Sequence, residues 1–253
     1  MTFADIGDTI TVSPGADLSL QVCGPLADHA PADGSNLAMR AAVLLREQRG
    51  VSRGAAIRLD KMLPAGAGLG GGSSDAGATL LALNELWGLG MSPVQLAELS
   101  RPLGADVPMC VHGRTLRAFG IGELIDPLPD WPDLPVVLVW PGVGVSTAAV
   151  YAHLENRRNL PLPDSPTLSS VEEAAAWLSG QRNDLETPAM AAEPTIRRVL
   201  DALAETPGCL LARMSGSGSG CFGIYGSREQ AEASAADLRS QEPRWWVAAS
   251  LAR

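Results

Sequence analysis

The stretch Pro64-Ala65-Gly66-Ala67-Gly68-Leu69-Gly70-Gly71-Gly72-Ser73-Ser74-Asp75 places five glycines within the seven residues from Gly66 to Gly72. Glycine loses more backbone freedom on folding than any other residue, so such a run is costly to order. It makes sense where backbone must approach a ligand closely. Upstream, Ala55 to Leu59 reads as a short strand. Downstream, residues 75–88 read as a helix, with Leu80, Leu83, Leu86 and Trp87 apolar. A glycine run that opens a helix points free N–H groups and the positive end of the helix dipole at an anion. Ser73 and Ser74 add hydroxyls that could bond a phosphate or reach Mg²⁺. A flexible linker also carries glycine, but linkers are not normally wedged between a strand and an amphipathic helix.

Two familiar nucleotide motifs fail here. Gly66, Gly68 and Gly71 formally match G-x-G-x-x-G, but a dinucleotide fold next needs a strand ending in an acidic residue about twenty positions on. Instead a capped helix begins at Ser92, and Glu98 lies within it. A P-loop needs lysine followed by Ser or Thr after the last glycine, and Gly72 is followed by Ser73.

Outward from the loop, residues 36–49 read as a helix with Leu37, Ala41, Leu44 and Leu45 on one face. Ser35 or Asn36 caps its start and Gly50 ends it. Nearer the start, Thr9 to Ser13 and Leu18 to Val22 alternate around the turn cluster Pro14-Gly15-Ala16-Asp17, the pattern of a β-hairpin. Ser92-Pro93-Val94-Gln95 is a capping box with proline at the first helical position. Val136 to Trp140 is a continuous apolar run, a buried strand. Prolines 127, 129, 132 and 135 crowd its approach and suggest a boundary, giving subdomains 1–135 and 136–253. Further helices are expected near 146–155, 170–179, 194–205 and 228–240, with strands at Leu210 to Met214, Cys221 to Tyr225 and Arg244 to Ser250. The mixture is α+β.

Net charge is -9, which argues against nucleic acid or an anionic membrane as partner. Lys61 is the sole lysine, so a phosphorylated ligand must be met by local devices rather than a global field. Cys23, Cys110, Cys209 and Cys221 lack metal-site spacing, as do His29, His112 and His153, and no protein metal centre is expected. The first residues carry no secretory pattern, and Pro135 to Val145 is too short and too broken to span a bilayer. A cytoplasmic protein acting on a small molecule, as monomer or homodimer, is the expectation.

The loop resembles the second motif of the GHMP kinases. Together with Leu80-Leu81-Ala82-Leu83-Asn84 and Leu86-Trp87-Gly88-Leu89 it is similar to the 4-diphosphocytidyl-2-C-methyl-D-erythritol kinase family among them. Gly104-Ala105-Asp106-Val107-Pro108 looks like that family's catalytic-aspartate motif. Arg182-Asn183-Asp184-Leu185-Glu186 looks like its linker, and Arg213 to Gly220 like its third motif. The resemblance spans essentially the whole chain. It implies a two-subdomain fold, with an N-terminal half like domain 2 of ribosomal protein S5 and a ferredoxin-like C-terminal half. It also implies ATP as co-substrate, Mg²⁺, and phosphorylation of an alcohol in the non-mevalonate isoprenoid pathway.

By the same resemblance Asp106 is the general base, although an isolated aspartate in Gly-Ala-Asp-Val-Pro is also a natural turn or cap residue. Pro64, Ala65, Gly66, Ala67, Gly68, Leu69, Gly70, Gly71, Gly72, Ser73 and Ser74 would hold ATP. Lys61 and Asn36 would lie on its adenine side, where a strand end and a helix cap explain them equally well. Tyr151 would pack on the cytosine ring, and Ser215, Gly216 and Ser217 would close over phosphates or substrate; core packing and a glycine-rich turn are the plainer readings of these residues. Another GHMP kinase, such as homoserine kinase, and a nucleotide-binding protein without catalysis remain open.

The family's early Pro-Ala-Lys-(Ile/Leu)-Asn-Leu and Gly-Tyr-His motifs have no match in this sequence. Roughly the first forty family residues thus lack counterparts, which is expected to leave the early hairpin with an exposed edge. The lost lysine removes a cation that would favour an ionised aspartate. Poor stability and weak or absent activity are the expectation. A start assigned too far downstream or a degenerate paralogue would each explain it.

Overall fold

The structure, a computed structural model, describes residues 1–120, 122 and 124–253. They form two units. The first comprises Met1–Phe3, Gly7–Ala65 and Gly70–Pro129, and the second Ala4–Ile6, Gly66–Leu69 and Asp130–Arg253.

In the first unit, β1 (Thr9–Gly15) and β2 (Leu18–Cys23) are strands, as their alternation suggests, but they are not a hairpin. After helix α1 (Leu37–Gln48), strand β3 (Gly54–Asp60) inserts between them, giving the order β1-β3-β2. It runs antiparallel to β1, with Thr9 opposite Asp60, and parallel to β2, with Leu18 opposite Ala55. The reason is burial. Ala55, Ile57 and Leu59 of β3 are almost wholly enclosed, and only the central position covers both edges of such a strand. Gly54 makes the insertion possible, because a Cβ there would lie 2.5 Å from the Asp17 nitrogen and 2.6 Å from the Ala16 carbonyl carbon.

Asn36 caps α1, and its side-chain oxygen accepts from Ala38 N–H. Helix α2 (Gly71–Trp87) begins four residues earlier than its apolar spacing suggests, inside the glycine run. Helix α3 (Pro93–Ser100) opens on the expected Ser92/Gln95 capping box. Helix α4 (Val107–His112) and the antiparallel pair β4 (Leu116–Phe119) and β5 (Leu124–Pro127) were not foreseen. Leu45, Ile57, Leu80, Leu83, Leu96 and Val107 form the centre of this core.

The second unit starts with β6 (Leu134–Trp140), α5 (Thr147–Ala152), α6 (Val171–Ser179), α7 (Glu186–Ala192) and α8 (Thr195–Glu205). It ends with β7 (Cys209–Met214), β8 (Cys221–Tyr225), α9 (Arg228–Gln241) and β9 (Trp246–Ala252). The short α7 was not foreseen; the other elements lie close to their expected positions. The sheet order is β7-β8-β6-β9, with every pair antiparallel. With α8 and α9 as crossovers this is the expected ferredoxin-like β-α-β-β-α-β succession. The unbroken apolar run of β6 has a structural cause. Val137 and Val139 enter a core with Ile196, Leu203 and Tyr225, while Leu134 and Val136 enter another with Ala174 and Ile224. Both faces of the sheet are covered. No helix among the described residues is long and apolar enough to cross a membrane.

Candidate active site

Strand β3 ends at Asp60 and leads straight into Lys61. Lys61 is 1% exposed, and a buried ammonium must be paired to be tolerated. Its partners are the carboxylates of Asp8 and Asp75, the latter at 3.1 Å. Asp8 also accepts from the backbone N–H groups of Met62, at 2.6 Å, and Leu63, at 2.8 Å. Asp75 lies one turn inside α2. Burial above all pushes its carboxyl up to about 6; Lys61 opposes the rise and Asp8 adds to it.

Helix α2 starts from Gly70, whose φ of 74° is left-handed and suits glycine. No side chain caps this end, and no acidic residue occupies its first turn. The leading N–H groups of a helix have no intrahelical partner. Here Gly71 and Gly72 carry no side chain that would keep a ligand away from them. The geometry suits an anion, as the sequence suggested.

Helix α4 crosses α2 at Gly77. A Cβ on Gly77 would lie 3.1 Å from the Cys110 carbonyl carbon and 3.2 Å from the Val111 nitrogen, so glycine permits the close approach. At the same crossing Ser74 Oγ donates to Cys110 Sγ at 3.5 Å. Burial pushes the Cys110 thiol up to about 11, with lesser upward pushes from Asp106 and Asp75. That thiol is therefore neutral near pH 7. Asp106 is the residue from which α4 starts. It is exposed and makes no side-chain cap bond. Within this unit Ser74 and Asp106 thus sit on two helices that touch, while Asn36 and Lys61 are buried with their polar atoms engaged. The amide of Asn36 caps α1 and donates to Pro31 O at 2.7 Å.

The middle of the glycine loop, Gly66–Leu69, belongs to the second unit. It is bound there to the other glycine-serine loop. Gly220 N–H donates to Ala67 O at 2.7 Å and Ser215 Oγ to Gly68 O at 2.8 Å. A side chain on Gly68 would come within 2.7 Å of the Ser215 and Gly218 carbonyl oxygens. Asn183 holds the second loop from behind. Its Nδ2 donates to Met214 O at 3.2 Å and Gly216 O at 2.9 Å, while its Oδ1 accepts from Leu185 N–H. Ser217 Oγ is 2.8 Å from Thr147 Oγ1 at the start of α5. Tyr151, on the same helix, is 49% exposed and not in the core.

Asp8 was not singled out from the sequence, and Asp75 and Asn183 appear there within longer motifs without a role of their own. The only signal for the first two was a lone lysine that would need partners if buried. Among the described residues no group of three or more His, Cys, Asp or Glu side chains is placed to hold a metal ion.

Residues 36–114 match the GHMP kinases N terminal domain and residues 164–243 the GHMP kinases C terminal domain. A 4-diphosphocytidyl-2-C-methyl-D-erythritol kinase of Cereibacter sphaeroides (strain ATCC 17029 / ATH 2.4.9) is 47% identical over 250 residues, covering 98% of this chain and 87% of that protein. The chain belongs to this family of GHMP kinases. Its relative of the same name in Paramagnetospirillum magneticum (strain ATCC 700264 / AMB-1) is 44% identical over 98% of the chain and 87% of the relative. The crystal structure of a 4-(cytidine 5'-diphospho)-2C-methyl-D-erythritol kinase is similar, with a TM-score of 0.76 and 35% identity, covering 99% of this chain and 88% of that one. A homoserine kinase structure from Cytophaga hutchinsonii ATCC 33406 reaches a TM-score of 0.73 at 19% identity, over 98% of this chain and 87% of that one, and shares the fold alone.

Proposed function

We propose that this chain transfers the γ-phosphoryl group of ATP to the 2-hydroxyl of 4-diphosphocytidyl-2-C-methyl-D-erythritol, giving ADP and the 2-phosphate, in the non-mevalonate route to isoprenoid precursors. The observation that carries this reading is the 47% identity to a kinase so named, sustained over 98% of the chain. The uncapped glycine start of α2 and the exposed Asp106 on the adjoining α4 support it.

The first-turn N–H groups of α2 would take ATP phosphate oxygens, with the rest of residues 64–74 around them. Asp106 would accept the proton of the 2-hydroxyl as that oxygen attacks the γ-phosphorus and the bond to ADP breaks. A well-placed base contributes about 10²–10⁴-fold, and positioning and charge supply most of the rest. Mg²⁺ fits a donor set of ATP phosphates and the Ser73 or Ser74 hydroxyl, and would neutralise phosphate charge there. The exposed ring of Tyr151 offers a face for a cytosine base. Ser215, Gly216 and Ser217 supply hydroxyl and backbone groups for the remainder of the substrate. Lys61 and Asn36, both buried with their polar atoms engaged, are assigned to the nucleotide side of the site as supports rather than as direct contacts. A cytoplasmic enzyme, monomeric or homodimeric, suits this chemistry.

The test is a substrate panel. With ATP and Mg²⁺, the 2-phosphate should appear by ³¹P NMR with the cytidine-diphosphate alcohol and not with homoserine or mevalonate. Turnover of any size confined to the cytidine compound supports the reading, and transfer to homoserine instead overturns it.

A further inference from the structure

Lys61 is the only lysine in the chain, and every polar group it has is committed. Its N–H donates to Cys23 O at 2.7 Å, and its carbonyl accepts from Leu26 N–H at 3.2 Å. Gly24 packs on that same peptide so closely that a Cβ there would fall 2.6 Å from Lys61 O. The ammonium is then taken by Asp8 and Asp75, whose side chains are 2% and 6% exposed. A group so enclosed cannot reach far to a ligand. What it can do is fix other groups in place.

Two such groups are fixed. Asp8 bonds Lys61 Nζ with one oxygen and the N–H groups of Met62 and Leu63 with the other, so one carboxylate pins three successive residues just before Pro64. Asp75 ties the same ammonium to α2. A Cβ on Gly71 would stand 3.3 Å from Lys61 Nζ and 3.4 Å from Asp8 Oδ2, so the knot lies directly under the first turn of α2. The end of β3 and the start of the helix are thereby held in register around one buried charge.

We infer that Asp8 and Asp75 are positioning residues for the nucleotide, acting through Lys61 to set the backbone N–H groups that open α2. The inference rests on the reading of that helix start as the ATP phosphate site. It assigns Lys61 to the site's foundation rather than to direct contact. Because the pinned elements carry the nucleotide's anion-binding groups, the effect falls on ATP and spares the second substrate.

The test uses the full 253-residue chain, with ATP affinity read by calorimetry and KM measured separately for ATP and for the cytidine-diphosphate substrate. Asp8→Asn keeps an oxygen for the Met62 and Leu63 N–H groups but loses the negative charge that faces Lys61. Asp75→Ala frees Lys61 from α2 without touching β3. Each is expected to weaken ATP binding by about tenfold, with the KM of the second substrate within about twofold of wild type. Asp75→Asn, which retains a polar partner for Lys61, is expected to recover most of the loss. If Asp75→Ala fails to fold, Asp8→Asn still decides the matter. ATP affinity unchanged in folded Asp8→Asn or Asp75→Ala overturns the inference alone, and so does an equal rise of both KM values, which marks general loosening. A wild-type chain that binds no ATP overturns the ATP reading and this inference together.

Discussion

Gly77→Ala probes how α2 sets the position of Asp106. The added Cβ would meet the Cys110 carbonyl carbon at 3.1 Å, Cys110 Cβ at 3.2 Å and the Val111 nitrogen at 3.2 Å. Most of these atoms are backbone, so α4 must retreat by a few tenths of an ångström. Two effects then oppose each other in stability. Alanine gains about 1 kcal/mol over glycine within a helix, whereas overpacking costs about 1–3 kcal/mol. The net change is a loss of about 0–2 kcal/mol, or a Tm lowered by at most about 8 °C for a chain of this size. Activity should suffer more than stability. Helix α4 is six residues long and starts from Asp106, one turn from the contact, so the carboxylate moves with it. If a misplacement of about 1 Å costs about 10²-fold in rate, a shift a third as large costs about fivefold. The assay is steady-state ADP release alongside thermal unfolding. The expected outcome is kcat down about fivefold with the KM for ATP within about twofold. A variant with wild-type kcat and a raised Tm would show that α4 has not moved and that helix propensity is the whole effect.

Asp75 should give stability a distinctive pH dependence. Burial lifts its carboxyl from 3.8 to about 6, so the folded chain holds that proton more tightly than the unfolded chain. This contribution therefore grows as pH falls from about 6 to about 4 and is flat above that window, with a ceiling of about 3 kcal/mol. Urea midpoints at pH 8 and pH 5 should rise on acidification more in the wild type than in Asp75→Asn; parallel shifts would contradict the assignment. Asn183→Ala removes the donor shared by Met214 O and Gly216 O, at a cost of about 1–3 kcal/mol. Hydrogen exchange should accelerate at residues 215–220 and not at the amides of α2. Leu80→Ala, at a fully enclosed site of the first core, should lower the unfolding free energy by about 2–5 kcal/mol in urea titrations.

Elements marked by local chemistry were legible from the sequence. The capping box at Ser92, the Asn36 cap and the amphipathic α8 are short-range signals, and each stands where it was expected. Partnership between strands was not legible. Alternation reveals that Thr9 to Ser13 and Leu18 to Val22 are strands, yet nothing local says that β3, more than thirty residues on, will part them. The start of α2 was missed because glycine has poor helix propensity; tertiary packing and Gly70 bring Gly71 to Ser74 into the helix all the same. Helix α4 is too short for its periodicity to register, although Asp106 before Val107-Pro108 is a helix-start pattern. The Asp8–Lys61–Asp75 knot joins residues 53 and 14 positions apart, and only the fold brings them together. The glycine loop was legible as an anion site from its composition and its place before a helix, whereas Asp106 was found through family resemblance, and an isolated aspartate would have been passed over as a turn residue.

In the proposed reaction Asp106 takes the proton from the substrate hydroxyl. The most direct measurement is ADP release by the 253-residue chain with ATP, Mg²⁺ and 4-diphosphocytidyl-2-C-methyl-D-erythritol, run beside Asp106→Asn. Substrate-dependent release that falls by about 10²-fold or more in the variant, with ATP affinity unchanged, is the expected result. Release that ignores the substrate, or that Asp106→Asn leaves intact, would contradict it.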